Sequence, residues 1–557
     1  MDAIFNLKET YSQVKQKKIK FIIITGGVLS GLGKGVTIAS MGALISNKLV
    51  KTPIKCDGYL NFDPGTMNPI EHGEVFVLDD GTEVDMDFGH YERFLNITCD
   101  GNENLTMGKI YKEIIDLERE GKFLGKTVKL IPEVTDYIEN KILRIALNHK
   151  SNIVLLEIGG TVGDIENELY LVAARNIIYN LGIKNAINVH LTYIPELFGS
   201  CEQKTKPAQN GIEKLYNRGI RPDIIICRTK RDLDIKSIDK LSTYTGLDKG
   251  CIISAKDVNN IYDLPIYFKT QNLDKLLSKK LNLKVNKNNL EEYEKRINII
   301  NRNSKTKKEK ENIKIGICGK YTSLNDSYAS VVEALNHASI PNNIHIDIDF
   351  IDTEKLDINY IRKLNGIIIP GGFGTRGIEG KIKIIKYARE NNIPLLGLCY
   401  GLQLSIIEFA RNKCNLKDAN TTEIDINTKN PIITILPGQN LNKLGGTMRL
   451  GSYKANLKEG SKISKIYNSK ISTERHRHRY EVNPAYHEIL EKKGMILSGF
   501  SPNKQLVEYI ELKDHPFFVG TQAHPELKSR ILNPHPLFVY FVKASKENRP
   551  INKKKLK

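Results

Sequence analysis

The stretch FIIITGGVLSGLGKGVT, Phe21 to Thr37, runs four apolar, mostly β-branched residues straight into five glycines and a lysine. It reads as a strand, an anion-binding turn and the start of a helix. The glycines let the backbone turn tightly with its N–H groups pointing inward. The helix N-terminus adds partial positive charge, and Lys34 supplies a point charge for a phosphate. The regular phosphate-loop pattern G-x4-G-K-[ST] is broken twice, with Val28 where the first glycine belongs and Gly35 where the metal-binding hydroxyl belongs. Any metal must therefore be held by carboxylates elsewhere.

Working outward, SNIVLLE (Ser151 to Glu157) is an apolar run ending in a carboxylate, followed at once by IGGTVGDIE. In an open parallel sheet, ligands sit beyond the carboxyl ends of strands, so Glu157 stands where a metal ligand belongs. Asp85 and Asp87 alternate with Met86 and Phe88, which on a strand or extended turn points both carboxylates to one side. Asp87 and Glu157 are the candidate Mg²⁺ ligands, since Mg²⁺ takes one or two carboxylates plus substrate phosphates. On residues alone the aspartates fit a solvated edge as well, and KTKPAQ (Lys204 to Gln209) fits a solvated basic turn as well as a triphosphate site. Further strands at Ala186 to Thr192, Asp223 to Cys227 and Cys251 to Ser254 make a doubly wound parallel sheet the expected α/β architecture.

From Asn282 to Asn312 the chain becomes charged and glycine-free, a partly helical linker. IKIGICG (Ile313 to Gly319) then restarts the alternation as a second α/β domain. Within it GIIIPGGFG (Gly366 to Gly374) is a strand ending in a glycine turn suited to an oxyanion. PLLGLCYG (Pro394 to Gly401) places Cys399 between glycines at a strand end, where small neighbours permit a strained turn that exposes the side chain. QAHPE (Gln522 to Glu526) follows another strand and supplies His524 and Glu526. Three strand-end placements give a candidate nucleophile, base and orienter.

The remaining numbers bound the class. A chain of 557 residues is too long for one core. No apolar run approaches the roughly 20 residues of a membrane span. The first residues lack the apolar core of a secretory signal. The cysteines, eight in number, are scattered without metal spacing, which favours free thiols in a reducing, cytoplasmic setting. A net charge of +19 is spread along the sequence with few interleaved aromatics, so anionic small substrates rather than nucleic acid are expected.

The motifs GGVLSGLGKG, DPGTMNPIEHGEVFV, DFGHYERF, EIGGTVGDIE, KTKPAQ, KDV, PGGFGTRG, GLCYGLQ, GGTMRLG, ERHRHRYEVN and HPE occur in an order that resembles the CTP synthase family, over roughly Lys20 to Lys543. The resemblance implies a P-loop-like synthetase domain fused to a class I glutamine amidotransferase domain, converting UTP to CTP with ATP and L-glutamine. It implies an extension at 1–19, a synthetase domain at 20–281, a linker at 282–312, an amidotransferase domain at 313–546 and a basic tail at 547–557. ATP would be held by Gly31, Leu32, Gly33, Lys34, Gly35, Val36 and Asp87, with Lys256, Asp257 and Val258 on the adenine side. UTP, or CTP as feedback inhibitor, would meet Ser30, Asp164, Ile165, Glu166, Lys204, Thr205, Lys206, Pro207, Ala208, Gln209 and Lys240. Glutamine would be positioned by Gly372, Tyr400, Gly401, Leu402, Gln403, Glu423 and Arg479 against Cys399, His524 and Glu526. GTP would activate through a lid at Gly445 to Gly451, with Arg449 the contact, and Pro69, His72 and Val75 match a narrow point on the ammonia route. A homotetramer, and filaments in some relatives, are implied too.

Gly58, Ala208 and Ala523 depart from the family pattern, replacing a proline, a threonine and an aromatic. A hydroxyl lost at Ala208 would weaken nucleotide binding by about 1 kcal/mol. The alternative reading is another glutamine-dependent amidoligase with the same pair of domains. A non-catalytic filament scaffold would show decayed site residues, whereas both halves are intact.

Overall fold

The computed structural model describes residues 6–68, 72–196, 202–283, 290–305, 312–319, 325–372, 374–436 and 446–548. The chain divides into two compact units, one of residues 1–63 and 90–294, the other of 64–89 and 295–557. The stretch 64–89, inside the first half by sequence, thus belongs to the second unit by its contacts.

The first unit carries seven strands: β1 (Lys20–Gly26), β2 (Lys51–Asp57), β3 (Asn104–Thr106), β4 (Ile153–Ile158), β5 (Ala186–Tyr193), β6 (Ile224–Thr229) and β7 (Ile252–Lys256). Every pairing is parallel, in the order β3-β2-β4-β1-β5-β6-β7. Phe21, Ile22, Ile23 and Ile24 are all fully buried, so both sheet faces are covered, which is why these strands read as continuous apolar runs. The connection after β1 leads to β2 on one side, and that after β4 leads to β5 on the other. The ends of β1 and β4 therefore flank the crevice where the strand order reverses.

Ahead of β1, helix α1 (Leu7–Gln16) is capped by the Asn6 side chain, which accepts from the Glu9 N–H. Tyr11 and Val14 enter the apolar core, the Tyr11 hydroxyl donates to Glu139 at 2.5 Å, and Thr10 donates to Asn140 at 2.9 Å. Residues 7–16 of the extension are thus an integral layer of the first unit. Gly58, one of the departures, lies where a Cβ would fall 2.7 Å from the Glu166 carbonyl oxygen, so the loop approaches too closely for a side chain.

The second unit holds a nine-stranded sheet of β8 (Asn312–Gly319), β9 (His345–Asp352), β10 (Gly366–Ile369), β11 (Leu395–Leu398), β12 (Arg449–Leu457), β13 (Ile471–His478), β14 (Met495–Phe500), β15 (Val507–Leu512) and β16 (Phe518–Thr521). Its order is β9-β8-β10-β11-β16-β15-β14-β12-β13. The first five in that order are parallel, as the α/β alternation predicts. The remaining pairings are antiparallel, an extension that the sequence reading did not resolve. Ile367 and Ile369 pack on one face and Ile368 on the other. A small hairpin, Phe76–Val77 against Glu83–Val84, belongs to this unit.

Asp85 and Asp87 do not lie on a strand. The Asp85 carboxylate accepts from the Asp87 N–H at 2.9 Å and the chain turns into a helix at Asp87–Leu95, because a short acid that satisfies an early N–H favours a helix start over an extended run. No helix among the described residues is long and apolar enough to cross a membrane.

Val14 is fully buried where α1 meets the core. Val14→Ala is expected to lower stability by about 1–3 kcal/mol, read as a drop in thermal unfolding midpoint of the full chain. An unchanged midpoint would mean that the helix is dispensable.

Candidate active site

In the first unit the glycine turn closes over the end of β1. Gly31 and Gly33 take φ of 72° and 88°, and Val28 takes 78°. A β-branched residue in that region costs on the order of 1–3 kcal/mol, so the position where a regular loop has glycine keeps glycine's conformation without its freedom. Lys34 opens the helix Lys34–Leu44, is buried, and donates from Nζ to the Gly160 carbonyl at 2.6 Å. The loop after β1 and the turn after β4 are thereby joined at the crevice. Glu157, at the end of β4, is buried and accepts from the Tyr91 hydroxyl at 2.5 Å. A buried carboxylate at a strand end is a donor of the kind a hard cation takes. Among the described residues no group of three or more His, Cys, Asp or Glu is arranged to hold a metal by itself.

Beneath the turn His190 of β5 is fully buried, its Nδ1 bonded to Thr25 Oγ1 at 3.0 Å and its Nε2 lacking a hydrogen-bond partner among the described residues. A Cβ on Gly27 would fall 2.7 Å from that Nε2, which explains a second glycine after β1. Burial, and then the charge of Lys34, push His190 down to about 4.

Arg228 ties two expected ATP segments together, donating to the Leu32 carbonyl at 2.9 Å and to Asp257 at 3.3 Å. Lys256 pairs with Asp232 at 2.9 Å and lies 4.7 Å from the Tyr267 ring centroid, while Val258 is half-buried beside them. Ser30 and Gly31 are exposed on the turn, and Gly35 and Val36 continue the helix. Gln209 and Lys240 line one cleft of about 760 Å³. Lys204 pairs with Glu202 at 2.7 Å, and Thr205 accepts from Gln209 at 3.2 Å just ahead of the helix that Lys206 and Pro207 begin. Asp164 caps the turn at Thr161, leaving Ile165 and Glu166 exposed. Ala208 is fully buried in an apolar cluster with Ile194, Ile212 and Ile225, so its side chain serves packing.

In the second unit Cys399 stands between β11 and the helix Tyr400–Asn412 with φ 51° and ψ −100°. The turn is possible because the residues two positions before and after it, Gly397 and Gly401, have no side chain. A Cβ on Gly401 would fall 2.2 Å from the Ile369 carbonyl oxygen, and one on Gly397 2.8 Å from the Gly401 carbonyl carbon. The helix N-terminus adds partial positive charge at the thiol. His524 Nδ1 bonds Glu526 Oε1 at 2.7 Å, and Cys399 lines the same cavity as the imidazole. Burial pushes His524 down, but Glu526 and Cys399 outweigh it and hold the ring well above the usual histidine value. Gly371 stays small because a Cβ would fall 2.7 Å from His524 Cε1. A thiol beside an imidazole whose Nδ1 is fixed by a carboxylate can act as a nucleophile on a carbonyl.

These groups line a cavity of about 510 Å³ together with Gly372, Glu423, Arg479, Tyr480 and Val75. Glu423 accepts from the Gly374 N–H at 2.8 Å, and Arg479 donates to Thr447 at 3.0 Å. Tyr400, Gly401, Leu402 and Gln403 do not line it. They frame the turn, with the Gln403 amide bound to the Tyr480 carbonyl at 2.9 Å and to Gln522 at 3.2 Å. His72 is not among the lining residues either, and Pro69 and Gly445 lie outside the described residues. Ala523, the third departure, is buried beside the histidine. Arg449, expected on a lid, is half-buried and paired with Glu481 at 3.3 Å and Glu508 at 2.7 Å, 4.3 Å from the Tyr453 ring centroid. Burial pushes those two carboxyls up against the pull of Arg449.

Residues 20–283 match the model described as CTP synthase N-terminus, and residues 323–544 match glutamine amidotransferase class-I. A protein named CTP synthase from Borreliella afzelii is 49% identical over 533 residues, covering 95% of this chain and 99% of its own length. The chain belongs to the CTP synthase family. A CTP synthase from Methanocaldococcus jannaschii is 47% identical over 542 residues, covering 95% of this chain and 99% of its own length. A solved structure described as the Trypanosoma brucei CTPS glutaminase domain with bound acivicin is 35% identical, covers 42% of this chain and 94% of that one, and gives a TM-score of 0.40. Sequence reasoning within the CTP synthase family missed Arg477, Met448 and the stretch Gly65 to Met67 as cavity walls. The ERHRHRYEVN and DPGTMNP motifs held the signal, but nothing local in them shows that they meet.

The neutral His190 sets a pH dependence. Its folded value near 4 lies below the unfolded value of about 6.5, so its contribution is present above 6.5 and is lost as pH falls toward 4. Wild-type protein is expected to lose about 2 kcal/mol on this account between pH 7 and pH 5. Comparing unfolding midpoints with His190→Gln checks it, since equal slopes for both proteins would refute the assignment.

Proposed function

We propose that the chain makes CTP from UTP, ATP and L-glutamine, with ammonia formed at Cys399 and used at the crevice of the first unit. The observation that carries the reading is the His524–Glu526 pair at 2.7 Å beside a cysteine on a positive-φ turn. The Cys399 thiol gives its proton to His524 and the sulfur attacks the glutamine carboxamide carbon. Gly372 stabilises the resulting oxyanion, with Glu423 and Arg479 placing the substrate. His524, kept in register by Glu526, returns the proton to the leaving ammonia, and water then hydrolyses the thioester to glutamate.

In the synthetase part, read as 20–281 and joined through the linker 282–312 to the amidotransferase part at 313–546, the turn from Ser30 to Val36 holds ATP phosphates. Lys34 neutralises charge as the γ-phosphoryl passes to the uracil O4. Ammonia then adds at C4 and phosphate leaves. Asp87 and Glu157 are the residues that would hold Mg²⁺, which supplies charge neutralisation on the phosphates when bound. Lys204, Lys206, Gln209 and Lys240 would take the UTP triphosphate, with Asp164 to Glu166 nearby. Activation by GTP, inhibition by CTP, a homotetramer and a cytoplasmic location belong to the same reading.

The test is product formation from UTP, ATP and Mg²⁺ with glutamine or with ammonia, with and without GTP. CTP is expected from both nitrogen sources, and its absence from both would overturn the reading. Cys399→Ala is expected to reduce glutamine-dependent synthesis by on the order of 10⁴-fold or more while ammonia-dependent synthesis persists.

A further inference from the structure

Strand β13 is the edge of its sheet, so the carbonyls on its outer side are not used by a neighbouring strand. Two of them support the hydrolytic groups. The Arg475 carbonyl accepts from the His524 N–H at 2.7 Å, and the Arg477 carbonyl accepts from the Cys399 thiol at 3.7 Å. Residues two apart on a strand also send their side chains to one side. Both of these reach the stretch 64–89. Arg475, fully buried, donates from Nε to Asp79 at 2.5 Å, with its guanidinium 5.3 Å from the Phe76 ring centroid. Arg477 donates from Nε to Glu83 at 2.7 Å and from Nη2 to the Gly65 carbonyl at 3.2 Å.

The hairpin itself is tightly seated. The Ser452 hydroxyl donates to the Asp79 carboxylate and its N–H to the Asp79 carbonyl, each at 2.9 Å. A Cβ on Gly451 would fall 2.6 Å from the Gly81 nitrogen, so the two backbones touch. Glu74 accepts from the Ser330 N–H at 2.9 Å. Burial pushes Asp79 up, but the Arg475 guanidinium outweighs it and holds the carboxyl below its usual value, so the acid is ionised against a buried cation.

From this geometry we infer that Asp79 and Glu83 are positioning residues for glutamine hydrolysis, fixing through Arg475 and Arg477 the backbone carbonyls on which His524 and Cys399 rest. The inference builds on the reading of Cys399 and His524 as the hydrolytic pair. Neutralising either acid removes the ionic bond by which that arginine is tied to the stretch 64–89. The edge strand that follows it moves the thiol relative to the imidazole, and misplacement of about 1 Å costs about 10²-fold in rate.

The experiment compares the full chain with Asp79→Asn, Glu83→Gln and the conservative Glu83→Asp. Three quantities are read: kcat and KM for glutamine hydrolysis, the pH profile of Cys399 alkylation by iodoacetamide followed by peptide mass, and CTP formation from ammonia. The expected result is a fall in kcat of about 10–100-fold for the neutral variants. KM and ammonia-dependent synthesis stay unchanged, the alkylation profile shifts, and Glu83→Asp recovers part of the rate. Unchanged kcat and alkylation, a change confined to KM, or parallel loss of ammonia-dependent synthesis would each overturn the inference. Glutamine hydrolysis that survives in Cys399→Ala would instead remove the reading beneath it.

Discussion

Cys399 is held at φ 51° and ψ −100°, a backbone state that ordinary residues avoid, and the surrounding structure exists in part to enforce it. β11 delivers the chain in one direction and the helix Tyr400–Asn412 takes it away in another. The reversal fits only because Gly397 and Gly401 let the two backbones touch. Leu402 and Gln403, on the first turn of that helix, are committed to holding it in place. The strain is offset by burial on both sheet faces, where alternating Ile367, Ile368 and Ile369 fill separate cores.

The first unit solves a related problem with different means. The end of β1 gathers a glycine-rich turn, a helix N-terminus and a buried cation, with Lys34 bound to the Gly160 carbonyl. The unusual features there are Val28 at a glycine-like φ and a neutral histidine under the turn. A protonated His190 would bring a second buried positive charge close to Lys34, and burial prevents it.

Local sequence carried the parts of this fold that depend on local physics. Runs such as FIII and IVLLE announce parallel strands because both faces are buried, and glycine clusters announce the turns that follow. The placement of Cys399 and His524 just beyond the strands β11 and β16 was legible for the same reason. The antiparallel strands β12 to β15 were not resolved, because their polar and apolar residues alternate only loosely, as in SYKANL. The strand reading of Asp85 and Asp87 failed because a side chain that caps a helix start leaves the same alternating pattern as an extended edge. Nor does anything near Asp79 announce Arg475, 396 residues later.

That separation bears on how the protein comes into being. At a synthesis rate of roughly 5–20 residues per second, the hairpin around Asp79 waits roughly 20–80 s before Arg475 is made. Meanwhile the flanking chain on either side of 64–89 can fold as the first unit, leaving Phe76 and its acids outside. A chain stopped before β13 therefore lacks the arginines that Phe76, Asp79 and Glu83 meet in the complete protein.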